Sequence, residues 1–285
     1  MPNPGLISEP LPPQSGKIPG VDTAALRGRV AVPRGLLIST ASSAGILLLW
    51  AGLTNLDIIG PDTMPTPQAF AQTFWEFLVH GYGQTSALGN VGISLMRALT
   101  GLSIGLAFGV PVGLLMGYSA TFNAVVKPVF SFLRPIPALA FVPLVVLFFG
   151  IGETAKIAVI AEAAFLYSVL HSSAGAAAIP ENYILLAQNV GLSRLQIFRR
   201  VVLPAAAPYV VAGIRTATAI AWAVMVAAEL IAAHSGLGYM IMDAATFYKL
   251  PFVYVGIVLI GLVGLALETV ISVADRTFIH WRAKD

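Results

Sequence analysis

Six ionisable residues fall within or beside long apolar stretches of this sequence: Arg97, Glu162, His171, Arg215, Glu229 and Glu268. Carboxylates and a histidine are the groups that acid–base or metal chemistry would use. Here they are scattered along the chain, with no His-Glu-x-x-His pattern and no carboxylate pair. There is no cysteine, which excludes disulfides, thiolate metal sites and cysteine nucleophiles. A phosphate-binding loop needs a leading glycine and a hydroxyl after its lysine. The run Ser15-Gly16-Lys17-Ile18 has neither. No catalytic centre is expected, and no cofactor or metal on this chain.

A charge at membrane depth is expensive and usually faces a cavity or a partner. Glu229, toward the outer end of an apolar stretch, is expected at an outer gate or subunit interface, or bonded to a neighbouring helix. Arg215 reads as a snorkelling or loop-bracing arginine, His171 as an interfacial histidine, and Arg97 as structural, although an anionic solute could use it. Gly236 and Gly238 in the run HSGLG read as an outer turn near a pathway. The run Pro135-Ile136-Pro137 is a candidate pathway lining, because broken backbone at that depth needs polar surroundings. Met240 and Met242 read as packing.

These residues are embedded in a chain that is 57% hydrophobic and 10% charged, with a formal net charge of +3. Soluble domains carry about 25% charged residues, so lipid is the expected solvent. A helix crosses roughly 30 Å of hydrocarbon with about 20 apolar residues. Six candidate spans result: 35–56, 91–117, 138–150 with a kinked lead-in from 124, 155–175, 207–231 and 252–274. Pro128, Pro135, Pro137 and Pro143 mark the third as broken or re-entrant. Lysines and arginines concentrate in the segments that are inside if the N-terminus is inside, such as Lys127, Arg134, Arg194, Arg199 and Arg200. The expected topology is therefore N-in, C-in. In the second span Gly101, Gly105, Gly109, Gly113 and Gly117 form a ridge for close helix packing, or for a sliding contact. Thr66-Pro67 starts a short amphipathic outer helix, and a second short outer helix lies within 232–251. Residues 1–31 are expected to form a flexible cytoplasmic tail, 32–280 the membrane domain and 281–285 a second tail.

The segment Ile179–Pro208 is expected to form a helix–turn–helix outside the membrane. Pro180 suits a first turn, Gly191 a helix end, and Ser193 with Gln196 a capping box. Pro204 and Pro208 are expected to interrupt the chain before the next span. Ile184, Ala187, Val190, Leu195 and Phe198 are apolar, so the loop either offers a docking surface or packs back onto the membrane domain.

This loop resembles that of permease subunits of bacterial ATP-binding-cassette importers, whose pattern is EAA, three residues, G, nine residues, I, one residue, LP. Ala187, Gly191 and Leu203-Pro204 match, and Val201 replaces the isoleucine. Leu185 and Leu186 depart from the glutamate and first alanine, so the glutamate's role is not carried over. RPIPALAFVPLVVLFFGIGE at 134–153 and AWAVMVAAELIAAHSGLGYMI at 221–241 are similar to two further regions of these permeases. The branch resembled includes permeases for taurine, alkanesulfonates, nitrate, bicarbonate and thiamine precursors.

The resemblance implies an all-α, type I (MetI-like) permease in the bacterial inner membrane, paired with a second copy. It implies two ATPase subunits, which hold ATP and magnesium, and an extracytoplasmic solute-binding protein. The loop, 179–206, would couple to the ATPase through Leu185, Leu186, Ala187, Gly191, Leu195, Phe198, Val201, Leu203 and Pro204. Membrane lipid is the surrounding partner; nucleic acid is not expected. A sulfonate such as taurine is the first expectation for the solute, then nitrate or bicarbonate, then an aromatic acid or thiamine precursor. The rival is an ion-coupled secondary transporter, which should show internal repeats and grouped carboxylates. A membrane enzyme would need a catalytic cluster.

Overall fold

The computed structural model describes residues 34–278; the two expected tails, 1–31 and 281–285, lie outside them. The described residues are helical apart from short links and one isolated bridge between Tyr82 and Thr85. The helices are α1 (Arg34–Asn55), α2 (Pro67–His80), α3 (Ala87–Tyr118), α4 (Ala120–Leu133), α5 (Val142–Phe149), α6 (Glu153–Ala177), α7 (Glu181–Asn189), α8 (Arg194–Ile197), α9 (Leu203–Ala232), α10 (Leu237–Thr246) and α11 (Leu250–Phe278). Contacts divide the chain at Leu49/Trp50, and α2 to α11 lie wholly within the unit from Trp50 onward.

Among the described residues four helices, including the continuous run Arg194–Ile231, are long and apolar enough to cross a membrane. A fifth crossing results if the bent pair Ala120–Leu133 and Ala138–Phe149 is one broken span. α1 is a 22-residue helix at the expected first span. The bend between α4 and the segment Ala138–Phe149, which opens with a short 3-10 turn at Ala138–Phe141, is 88°. Pro135 and Pro137 lie in this break, and neither can supply the backbone N–H that a continuing helix would need.

Helix starts follow local chemistry. Thr66 caps α2 through a hydrogen bond from the Ala69 amide (3.2 Å), and Ser86 caps α3 through one from Gly89 (3.1 Å). Because of Ser86, α3 begins four residues before the expected span. The core of the unit is the α3–α6 pair. The glycine ridge of α3 lies against Ile160, Ala161, Ala164, Val169 and Ala176 of α6, close enough that an added methyl group would collide. A Cβ on Gly105 would sit 2.6 Å from Ala164 Cβ and 2.7 Å from the Ala161 carbonyl oxygen. The ridge is therefore a tight packing seam. α9 completes the bundle: Gly213 of α9 admits the His171 ring of α6, and Trp222 Nε1 donates to the Ile260 carbonyl of α11 at 3.2 Å. Phe77, Tyr82, Leu237, Met240 and Val255 are buried together where α2, α10 and α11 meet.

One expectation is corrected. Pro204 and Pro208 do not interrupt the chain ahead of the fifth span. α8 passes through a π turn, Phe198–Val202, directly into α9, with the Leu203 amide donating to the Phe198 carbonyl five residues back. Pro204 follows directly on that π turn, inside the continuous run. The wider π turn takes up the strain that a proline ring places on the preceding carbonyls. Pro208 lies inside α9 without ending it.

Candidate functional site

The loop after α6 forms the predicted helix pair, and its turn has a specific geometry. α7 ends in a Schellman motif. The Leu192 amide donates to the Ala187 carbonyl (3.1 Å) and the Gly191 amide to the Gln188 carbonyl (2.8 Å). Gly191 adopts φ 85°, the left-handed region that glycine tolerates. The next helix opens with a complete capping box: Gln196 N donates to Ser193 Oγ (3.4 Å), and Ser193 N donates to Gln196 Oε1 (2.8 Å).

This loop has two faces. Ala187, Ile197 and Val202 are buried against Leu114, Ala176 and Ala206, at the ends of α3, α6 and α9 nearest the loop. Phe198 rests on Tyr118, with ring centroids 5.7 Å apart, and Val201 packs against the same cluster. Tyr183, Leu185, Leu186, Val190 and Leu195 point away and are at least half exposed; Leu203 is exposed too. The expected coupling residues therefore separate into an inward set (Ala187, Phe198, Val201) and an outward set (Leu185, Leu186, Leu195), joined by the Gly191 turn. Pro204 sits where the loop becomes the membrane helix.

Glu229, Gly236 and Gly238 come together at the opposite end of α9, in a buried polar cluster. The Glu229 carboxylate is fully buried and accepts from Ser94 Oγ (2.9 Å to each oxygen), the Gly238 amide (2.9 Å) and Arg97 Nη1 (2.6 Å). It occupies the N-terminal end of α10, where the helix dipole and free amides favour a negative charge. Gly236, at φ 109°, and Gly238 leave room for it: a Cβ on Gly238 would lie 2.6 Å from Glu229 Cβ. Arg97 is 1% exposed and also binds Glu153 (Nε–Oε2 2.5 Å, Nη2–Oε1 2.6 Å) and the Ser235 carbonyl (2.7 Å). Lys156 adds an ion pair to Glu153 at 3.0 Å. Asn90 Oδ1 accepts from Gly236 N (3.0 Å), and Ser94 Oγ accepts from Leu237 N (2.9 Å). Sequence reasoning did not single out Asn90, Ser94, Ser235, Glu153 or Lys156. Their signal was the spacing of Asn90, Ser94 and Arg97, four and three residues apart on one face of an apolar helix.

The remaining intramembrane charges separate. Arg215 of α9 pairs with Glu268 of α11 at 2.7 Å, both about half exposed. Glu162 Oε2 is buried without a hydrogen-bond partner. Near the α10–α11 connection, Tyr82 donates to Asp243 (2.8 Å), and Lys249 lies 5.8 Å from the Tyr82 ring centre. Burial first, and then Asp243, raise the Tyr82 phenol well above its ordinary pKa.

The bend between α4 and α5 opens a cavity of about 870 Å³ against α6. Pro135, Ile136 and Pro137 lie on its wall, together with Asn123, Lys127 and Ser131 of α4, Arg134 at the end of that helix, Tyr167 and Ser173 of α6, and Ile220 and Val224 of α9. Two of the expected pathway residues, Pro135 and Pro137, thus line a real cavity. Glu229, Gly236 and Gly238 are not among its lining residues.

The family model for the binding-protein-dependent transport system inner membrane component matches residues 109–280. The taurine transport system permease protein TauC of Escherichia coli is 33% identical over 260 residues, covering 91% of this chain and 94% of that protein. The bicarbonate transport system permease protein CmpB of Synechococcus elongatus is 31% identical, covering 86% and 90%. Among solved structures, an inward-facing form of the MetNI methionine ABC transporter superposes with a TM-score of 0.57 at 20% identity, covering 68% of this chain and 95% of that one, which shows a shared fold. Its helical architecture, its loop and its sequence relatives place this chain in the family of binding-protein-dependent transport system inner membrane components, the membrane permease subunits of ATP-binding-cassette transporters.

Proposed function

We propose that this importer permease carries a small solute with an anionic head group, a sulfonate such as taurine first, and is driven by ATPase subunits that dock on residues 179–206. The observation that carries the coupling role is the two-faced loop. Its outward face exposes Tyr183, Leu185, Leu186, Val190 and Leu195, and apolar side chains exposed on a loop read as lying outside the membrane support a protein contact. α8 runs on through the π turn into α9 as one helical run from Arg194 to Ile231, so a push on the loop would be passed to that helix.

The assembly would contain a second copy of this chain, two ATPases holding ATP and magnesium, and an extracytoplasmic solute-binding protein. α1 and the broken α4–α5 pair would complete six spans with both termini inside; the basic residues around the loop support that orientation. The sulfonate preference rests on similarity to a taurine permease. A bicarbonate permease at nearly the same identity keeps bicarbonate as the second reading, and nitrate, an aromatic acid or a thiamine precursor come after it.

The test is reconstitution of the permease with its ATPase and binding protein in vesicles. ATP-dependent taurine uptake, abolished when the ATPase is omitted, is the expected result. Uptake by the permease alone, driven by an ion gradient, would overturn the coupling role.

A further inference from the structure

The α4 face toward the cavity is polar in an otherwise apolar helix. Asn123, Lys127, Ser131 and Arg134 are spaced four, four and three residues apart, which places them on one stripe. Three other cations set in or beside the spans have carboxylate partners: Arg97 with Glu229 and Glu153, Lys156 with Glu153, and Arg215 with Glu268. Lys127 and Arg134 form no ion pair among the described residues, and no carboxylate lines their cavity. The rest of the wall is largely apolar, with Phe130, Leu166 and Leu170 among its members.

We infer that Lys127 and Arg134 read the charge of the solute, and that, within the sulfonate class proposed above, the route they line favours organic anions lacking an ammonium group over taurine. The inference rests on this cavity being part of the translocation route. A cleft lined by charges of one sign and walled by low-dielectric groups raises the local concentration of the opposite ion by about 10- to 1,000-fold. An apolar wall favours a solute with a hydrocarbon body over a fully hydrated inorganic ion. An ammonium group finds two positive charges and no carboxylate. An alkanesulfonate therefore fits this wall better than zwitterionic taurine does, and the volume leaves selection to charge more than to shape.

The absence of native cysteine makes the test clean. Ser131→Cys places a single thiol on this chain between Lys127 and Arg134. In the full transporter in vesicles, its reaction rates with a methanethiosulfonate carrying a sulfonate and with one carrying a trimethylammonium are compared, each normalised to a free thiol. The expected preference for the sulfonate reagent is roughly tenfold or more. Lys127→Gln with Arg134→Gln brings it close to the free-thiol ratio, whereas Lys127→Arg with Arg134→Lys retains it. Butane-1-sulfonate slows labelling more than taurine at equal concentration.

A ratio unchanged by the double glutamine variant overturns the inference, as does equal protection by taurine. A preference that disappears when anionic lipid is added assigns the two cations to headgroups and also overturns it. Labelling requires no ATP, so it fails or succeeds independently of the ATP-driven uptake that tests the importer reading.

Discussion

Replacing Arg97 with methionine removes the centre of the α3–α6–α9 polar cluster while keeping an unbranched apolar stem. The two carboxylates it binds are not equal. Glu153 is 49% exposed, so its pair with Arg97 is screened by solvent and contributes about 1 kcal/mol or less. Glu229 has no exposed side-chain surface, and without Arg97 its charge would be left buried with only Ser94 and the Gly238 amide for partners. Breaking a buried pair from one side costs about 3–5 kcal/mol. At roughly 2–4 °C per kcal/mol for a chain of this size, the unfolding temperature falls by about 10 °C. Thermal unfolding of the detergent-purified protein measures this directly. The double variant Arg97→Met, Glu229→Gln removes the stranded charge and recovers much of the loss, whereas Arg97→Met with Glu153→Gln does not. A loss below about 1 kcal/mol for Arg97→Met, or equal recovery in both double variants, would refute the assignment of the energy to the Glu229 pair.

Further outcomes are expected at the loop, the helix seam and Tyr82. Leu186→Asp, on the exposed face of the loop, weakens copurification with the ATPase by roughly tenfold or more while thermal stability is retained. Unchanged copurification would place the docking face elsewhere. Phe198→Asp, by contrast, lowers thermal stability through loss of the Tyr118 contact, and a purely docking-related loss would count against the inward placement. Gly191→Pro abolishes transport in a protein that still inserts, because proline cannot adopt φ 85° or supply the amide bonded to Gln188; normal uptake would contradict the role of the turn. Gly105→Val destabilises the α3–α6 seam by about 1–3 kcal/mol, and an unchanged unfolding temperature would show that the seam can open. Because the Tyr82 pKa is raised in the folded protein, its stabilisation is present below about pH 10 and is lost as pH rises further. Unfolding measured across that range should fall more steeply for wild type than for Tyr82→Phe; equal slopes would refute it.

The sequence by itself determined the features that depend on near neighbours. Apolar run length marked the long apolar helices, Thr66 and the Ser193–Gln196 pair marked starts, Gly191 marked a helix end, and the proline cluster at 135–137 marked the bend between α4 and α5. Each is a local matter of backbone donors, dihedral preference or spacing. The same local reading failed at Pro204 and Pro208, where α8 and α9 join through a π turn that no proline rule anticipates. What only the tertiary structure decided are the meetings between distant residues. Arg97 and Glu229 are 132 positions apart, and nothing in either neighbourhood names the other. Packing of the glycine seam brings α3 against α6, and α9 closes on both. That arrangement places a carboxylate at the start of α10, leaves Lys127 and Arg134 facing a cavity, and turns Leu186 outward while Phe198 turns in.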